Sequence, residues 1–518
     1  MPAHEVIVST PAEKLALSLE VLNTLQSDGR RVFQSRELSR VHRERLLEHG
    51  FLETAIKGWL ISSNPNTQPG DTTPWFSSFW EFLSRYCDHR FGDEWHLSPP
   101  LSLDLHAEKS EIPTQVVLNS VHAQNNRLTL PYGTSLFGVK LSSPAPEADL
   151  MMLRGLRVFR PEAALVRVTE AYYRHSSTEA EVVLTAIEEP SELLRRLLEG
   201  GHSTVAGRLA GALRRVRRAD AADEILSTMR ATGHDVRESD PFDNDRPMTP
   251  VRHSPAPPLT RRLERLWASG RQAVLDHFPP PPEVLQAPDA YLATIDDIYE
   301  HDAYHSLSIE GYRVSPELIQ RVASGDWDRS GDANRADKDA LSARGYFQAF
   351  ALVRDSVARA YGQNDPSFVR AAHRDWYREL FAPSVVAGLI EASDLAGYRN
   401  NAVFLRGSRH MPPRWTLLRY AMPAVFDLID EEPHPAVRAI LVHWLMGYVH
   451  PFPDGNGRIA RFAMNALFAT VGYPWTVIRV QDRARYLDTL EQASVGGDLG
   501  PFVVFIAEQM HWSASRTT

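Results

Sequence analysis

Residues 434–472 read HPAVRAILVHWLMGYVHPFPDGNGRIARFAMNALFATVG. Two runs in this stretch carry apolar residues at helical spacing. Val437, Ile440, Leu441, Trp444, Leu445 and Tyr448 mark the first, and Ile459, Phe462, Ala463, Ala466 and Leu467 the second. Pro451, Pro453, Gly455 and Gly457 separate them. The prolines stiffen the connection, and the glycines permit backbone that other residues resist. The pattern predicts two packed helices joined by a short, tightly shaped loop, in a C-terminal half that is mainly helical.

At 518 residues the chain exceeds one core, so two to four domains are expected. With 43% hydrophobic and 23% charged residues, the composition is that of a globular protein. A net charge of −9 argues against nucleic-acid binding by the chain as a whole, though a local basic patch remains open. The single cysteine, Cys87, excludes an internal disulfide and a cysteine zinc cluster and fits a cytoplasmic setting. The first residues lack a signal-peptide pattern, and no apolar run is long enough to span a membrane.

Four segments are expected. Residues 1–61 form the first, with PAEKLALSLEVLNTLQ and the following segment giving three helical pieces and FLETAIKGWLI a hairpin, the order of a winged helix. Arginine and lysine outnumber acids seven to four across residues 30–61, which leaves DNA contact there open. Residues 62–236 are mixed α/β, with strands at TQVVLNS, NRLTLPYG and EVVLTAIE and helices after them. Their isolated histidines, His96, His106 and His122, form no ligand set. Residues 237–289 are rich in proline and read as a linker, with FPPPPEVLQAPD as a stiff spacer. Residues 290–518 are the helical remainder, opening with a helix at DAYLATIDDIYEHDAYHSLSIEG.

Chemistry concentrates in His450–Arg461, HPFPDGNGRIAR. Gly455, Asn456 and Gly457 just before a helix let backbone N–H groups converge on an anion. Arg458 and Arg461 share a helix face and carry fixed positive charge suited to phosphate oxygens. Asp454 is suited to a magnesium ion bridging phosphates. His450 is the group able to take a proton near neutral pH. A phosphate cradle, a metal ligand and a base together call for transfer of a phosphorus-centred group to a hydroxyl.

The same twelve residues match the signature of the Fic family, His-Pro-Phe-x-Asp-Gly-Asn-Gly-Arg-x-x-Arg, and the resemblance extends over about residues 290–512. It implies a helical bundle with a β-hairpin flap that transfers AMP from ATP to a Ser, Thr or Tyr hydroxyl of a protein. By that likeness His450 deprotonates the hydroxyl, Phe452 anchors the loop and Asp454 holds Mg2+. Asn456 and the amides of Gly455 and Gly457 hold the α-phosphate, Arg458 the β-phosphate and Arg461 the γ-phosphate. The flap is expected at Val403, Phe404, Leu405, Arg406, Gly407, Ser408, Arg409 and His410, holding the target by strand pairing. Relatives often dimerise, so a second copy is a further expected partner. Tyr486 is a candidate adenine contact beside a core reading of the same ring.

SLSIEG, Ser306–Gly311, resembles the family's inhibitory element, Ser/Thr-x-x-x-Glu-Gly/Asn, placed N-terminal to the core. The likeness implies that Glu310 pairs with Arg461 in place of the γ-phosphate, and in some relatives the same glutamate assists removal of AMP. The region before the linker resembles, loosely, regulator antitoxins of the abortive-infection type, through SRELSRVHRERLLEHGFL, KGWLI and NRLTLPYGTSL. The alternative to an autoinhibited transferase is therefore a DNA-binding regulator whose C-terminal half senses nucleotide.

Overall fold

The computed structural model describes residues 10–67, 70–242, 256–325 and 335–515. The chain divides into two compact units. One is Met1–Arg246 with Phe404–Arg409, and the other is Pro247–Val403 with His410–Thr518.

In the first unit, helix α1 (Pro11–Leu25) begins at a capping box. The Glu13 amide donates to Thr10 Oγ1 at 3.2 Å, and the Thr10 amide donates to Glu13 Oε2 at 2.7 Å. Strand β1 (Val32–Gln34), one turn of 3-10 helix (Ser35–Glu37), helix α2 (Arg40–Glu48) and strands β2 (Leu52–Ile56) and β3 (Trp59–Ser62) follow. The antiparallel sheet runs β1-β3-β2. Where three helical pieces were expected there are two helices and a single turn. Leu22, Phe33, Leu38, Leu46, Leu52 and Leu60 fill the small core beneath them.

No unit boundary falls at residue 61. Helix α3 (Thr73–Phe91) packs on β3, with the Phe82 ring edge-on to Trp59 at 5.8 Å and Tyr86 at 6.0 Å. The short β1–β3 sheet has too little apolar surface to stand alone, and α3 covers it. Strands β4 (Trp95–Leu97), β5 (Gln115–Ser120), β6 (Asn126–Thr129) and β7 (Ser135–Lys140) form a sheet in the order β4-β5-β7-β6, with helix α4 (Pro99–His106) between the first two in sequence. A hairpin, β8 (Leu150–Leu153) and β9 (Leu156–Phe159), leads into six helices. These are α5 (Pro161–Arg167), α6 (Glu170–His175), α7 (Ser177–Ala186), α8 (Ser191–Gly200), α9 (Ser203–Arg215) and α10 (Ala219–Ala231). EVVLTAIE, expected as a strand, lies mostly in α7. A short β-branched run does not settle the choice alone, and here Val182, Val183 and Leu184 all enter a helical core.

The second unit is helical. Part of the expected linker, residues 243–255, lies outside the described residues. The rest of it contains helix α11 (Pro258–His277), so 237–289 is not a linker throughout. Leu259, Leu263, Trp267 and Val274 are buried in the main core, at the seven- and four-residue spacing of one helix face. Helix α12 (Pro288–Ile309) carries the expected apolar face, and α13 (Pro316–Ala323), α14 (Arg335–Ala360) and α15 (Ser367–Val386) follow. Then come α16 (Leu418–Glu431), α17 (Pro435–Val449), α18 (Asn456–Ala469), α19 (Arg483–Glu491) and α20 (Gly500–Ala514). Nearly every residue of α17 and α18 is buried, so this pair is the centre of the bundle. Among the described residues no helix is long and apolar enough to cross a membrane.

Residues Val403–His410, expected as a β-hairpin flap, make a turn at Arg406–Gly407 without a ladder of their own. The return segment is paired elsewhere: the Ile112 amide donates to the Arg409 carbonyl at 3.0 Å. Gly407 sits at φ +76°, the left-handed conformation the tip requires.

Candidate active site

The site is built on the loop between α17 and α18. α17 stops at His450, which adopts a left-handed conformation (φ 50°) unusual for a residue with a side chain. That turn throws the chain into the loop and sets the imidazole at its edge. Nδ1 faces the Gly447 carbonyl at 3.3 Å, so Nδ1 carries the hydrogen and Nε2 is left as the acceptor. Burial lowers the His450 pKa to about 4, partly opposed by the Gly447 hydrogen bond. At neutral pH the ring is therefore unprotonated and ready to take a proton. Arg399 supports it from behind, with Nε donating to the His450 carbonyl at 2.7 Å and the Arg399 amide to Pro451 O at 2.8 Å.

Phe452 is fully buried and stacks on Tyr377, ring centroids 4.1 Å apart. Asn456 clamps the same residue. The Phe452 amide donates to Asn456 Oδ1 at 2.8 Å, and Asn456 Nδ2 donates to the Phe452 carbonyl at 2.9 Å. Both ends of the side-chain amide are thus engaged with the loop backbone. The Asn456 side chain is spent on shaping the loop, and its backbone N–H at the start of α18 is the group it has for the expected α-phosphate contact. Gly455 stands at φ +76° before α18, and a Cβ there would lie 2.7 Å from the Phe381 ring. Only glycine fits that corner.

The two arginines are held differently. The Arg458 guanidinium lies between Tyr312 and Phe381, at 5.2 and 4.9 Å from their ring centroids, with Asp454 Oδ2 at 3.4 Å. Arg461 is buried among oxygens. Its Nε donates to Ser306 Oγ at 2.9 Å, and its Nη2 donates to the Ser306 carbonyl at 3.2 Å and to Glu310 Oε1 at 2.8 Å. Burial works against its charge, but Glu310, together with Tyr486 and Tyr346, outweighs burial and holds the guanidinium protonated. Burial would raise the Glu310 pKa; Arg461 and Arg458 outweigh it and bring the carboxyl below its ordinary value. A Cβ on Gly457 would fall 2.4 Å from Glu310 Oε1 and 3.2 Å from Arg461 Nη1. The Glu310 carboxylate therefore lies against Gly457 at the start of α18.

Among the described residues, Arg458 Nε and Arg461 Nη1 are buried without a hydrogen-bond partner. Buried unpaired guanidinium N–H groups are costly and rare, and Arg461 Nη1 lies beside Gly457 at the start of α18, 3.2 Å from where a Cβ would stand, a setting that suits an anion. Asp454 keeps its side chain 65% exposed and its Oδ1 on the Gly455 amide at 2.6 Å. One exposed carboxylate beside a phosphate cradle is the donor set Mg2+ takes when phosphates and water complete its shell. No protein-only cluster of three or more metal ligands exists among the described residues. A cavity of about 250 Å³ opens over this region, lined by Glu310, Gly311, Tyr312, Lys338, Asp339 and Asp454.

Several of these neighbours carry no signal in the sequence. Tyr312, Phe381 and Tyr377 are ordinary aromatics until the fold places them around Arg458 and Phe452. Asp302, two turns before Glu310 on α12, accepts from Tyr346 OH at 2.6 Å, and burial raises its pKa to about 6. Tyr486 is buried, with its hydroxyl 2.8 Å from His443 Nε2 and its ring among Phe502 and Phe505. The ring is part of the core and also lies beside Arg461 and Glu310. In the N-terminal unit the four basic side chains on α2 are engaged within the unit: Arg40 with Glu44, His42 with Ser18, Arg43 with the Ser35 carbonyl, and Arg45 with the Lys14 carbonyl.

The chain is similar to several known proteins. The model of the Fic/DOC family matches residues 364–468. A protein adenylyltransferase Fic of Nematostella vectensis is 31% identical over 217 residues, covering 41% of this chain and 47% of that protein. The protein adenylyltransferase Fic of Drosophila willistoni is 37% identical over 127 residues, 24% of this chain and 25% of that one. The chain thus spans about half or less of the curated relatives it matches. Among solved structures, Fic-1 from C. elegans is 16% identical with a TM-score of 0.37, covering 69% of this chain and 90% of that one.

Proposed function

We infer, from a chain that carries a Fic domain in its C-terminal half, a protein adenylyltransferase whose own helix α12 holds it inactive. The observation that carries the reading is Arg461: one buried guanidinium faces both the anion cradle of α18 and the carboxylate of Glu310. The reaction joins a Ser, Thr or Tyr hydroxyl of a target protein to the α-phosphorus of ATP. The hydroxyl oxygen forms the new P–O bond, and its proton passes to His450 Nε2. The bond to the bridging oxygen breaks, and pyrophosphate leaves.

Each residue has a physical task in this scheme. His450, neutral because it is buried, accepts the proton without first having to lose one. The α18 amides and the unpaired N–H groups of Arg458 and Arg461 bind and orient the triphosphate and stabilise charge developing on it. Asp454 would hold Mg2+, which supplies charge neutralisation across the phosphates when bound. Phe452 and Asn456 fix the loop so that base and cradle keep their spacing. Glu310 occupies the place on Arg461 that a terminal phosphate would take, so ATP binds in a pose unsuited to in-line attack. The residues Val403–His410 present the target.

Of the basic side chains on α2, His42, Arg43 and Arg45 are tied to groups of their own unit, and only Arg40, in an exposed pair with Glu44, stands open to a DNA contact. The test uses α-labelled ATP with wild type, Glu310→Gly, and Glu310→Gly combined with His450→Ala. Label on protein in the second alone, with little in the first and none in the third, supports the autoinhibited transferase. No label in any of the three overturns it.

A further inference from the structure

Helix α12 carries a second carboxylate behind Glu310. Asp302, Ser306 and Glu310 follow one another at four-residue spacing, so they share one face of the helix over successive turns. Glu310 and Ser306 both meet Arg461. Asp302 lies deeper, 3% exposed. Burial raises its pKa, while Tyr346, Trp475 and Arg461 pull it back, so the carboxyl is largely ionised at neutral pH. A buried charge is costly, and a neutral side chain would fill the same space without that cost. A charge kept there calls for a partner.

The contacts lead to Arg461. The Tyr346 hydroxyl donates to Asp302 Oδ2 at 2.6 Å. It also faces the hydroxyl of Ser306, whose Oγ accepts from Arg461 Nε at 2.9 Å. Guanidinium and carboxylate are thus linked through two hydroxyls, each able to accept on one side and donate on the other. On its other flank Arg461 meets Tyr486, whose hydroxyl is 2.8 Å from His443 Nε2. These neighbours bring no charge. Burial pushes the hydroxyls of Tyr346 and Tyr486 up, and brings His443 down to about 3. When Glu310 leaves Arg461, Asp302 still faces it.

We propose that Asp302 is a positioning residue for the terminal phosphate of the nucleotide: through Tyr346 and Ser306 it keeps the Arg461 guanidinium charged and fixed beside α18 once Glu310 has withdrawn. The proposal rests on the reading of Arg461 given above. One face of α12 then does two opposite things. Its end covers the anion site, and its middle holds the arginine of that site ready for use. Asp302 touches no reacting atom.

The test is nucleotide binding by the full chain in the Glu310→Gly background, with Mg2+ present. The probes are α,β-methylene-ATP and α,β-methylene-ADP, in which the P–O bond that transfer would break is replaced by P–C. Calorimetry gives the ratio of their affinities. Asp302→Asn keeps the shape and removes the charge, and Tyr346→Phe removes the linking hydroxyl. Each is expected to lower the preference for the triphosphate about two- to tenfold, with the diphosphate affinity unchanged. In an Arg461→Met background neither adds to the loss that Arg461→Met causes alone. A merely structural role would weaken both nucleotides alike, and that result overturns the proposal. So does an unchanged ratio, or a loss that persists without Arg461. A Glu310→Gly parent with no preference for the triphosphate overturns it as well, since Arg461 then holds no third phosphate. If that parent prefers the triphosphate but labels no protein, the transferase reading fails on its own, and the affinity ratios still decide the role of Asp302.

Discussion

Arg461 and Glu310 stand 151 residues apart in sequence and share a 2.8 Å hydrogen bond inside the second unit. Removing the acceptor has two opposite effects. A charge-assisted bond of this kind contributes about 1.5–3 kcal/mol, so Glu310→Gly is expected to raise transfer of label roughly 10- to 100-fold. It also lowers stability, since a buried guanidinium loses its counter-charge. A melting temperature that falls without ATP and recovers with it shows both effects at once. Unchanged labelling would remove the inhibitory role.

The pH profile of the released enzyme follows from His450. Its pKa lies near 4 in the folded chain, below the ordinary 6.5. A depressed histidine stays neutral down to its folded pKa, so kcat/KM of Glu310→Gly is expected to be level from neutral pH past 6.5 and to fall only towards 4. Stability behaves differently. Between those values the unfolded chain binds a proton that the folded chain does not, so the contribution of His450 to stability is complete above 6.5 and declines as the pH drops to about 4. An activity inflection near 6.5 contradicts this assignment.

Asn456→Ala separates loop-shaping from phosphate binding. The variant leaves the Phe452 amide and carbonyl without their partners, at about 1–3 kcal/mol for each buried group. The expected result in the Glu310→Gly background is a lower melting temperature and a lower kcat. A raised KM for ATP with unchanged stability would return the side chain to the phosphate.

Helix α11 supplies a test of the unit boundary. Trp267 is buried, and its indole N–H donates to Glu432 Oε2 at 3.3 Å. Trp267→Ala is expected to destabilise the second unit by about 3–5 kcal/mol. A chain begun at residue 290 lacks α11 entirely and is expected to lose cooperative unfolding by calorimetry, while one begun at residue 256 retains it. A folded 290–518 fragment would restore the linker reading.

How much of this could be read from the sequence depended on how local the cause was. The helix–loop–helix around His450 was legible because the apolar spacing, the prolines and the glycines all act within a few residues. Glu310 became legible only beside that loop, through a short pattern whose partner lies far along the chain. The place of α11 in the core was obscured by flanking prolines, although its apolar face was present in the letters. The Asn456 clamp is local, four residues from Phe452, but no spacing rule marks an asparagine for that task. The aromatic walls of Arg458 have no local cause: Tyr312, just past α12, and Phe381, on α15, meet α18 only in three dimensions. The flap tip misled for the same reason, since its return segment found a partner in another part of the molecule.

Glu310 is the residue that caps the end of α12, and Gly311 after it has φ +89°. Helix ends fray on far shorter timescales than domains unfold, and at much lower free energy. Ser306, a turn earlier, remains fastened to Arg461 while that last residue swings. On the proposed inhibitory role, the contact sits at the tip of a rod, where the last residue of a helix moves at lower cost than the helix itself.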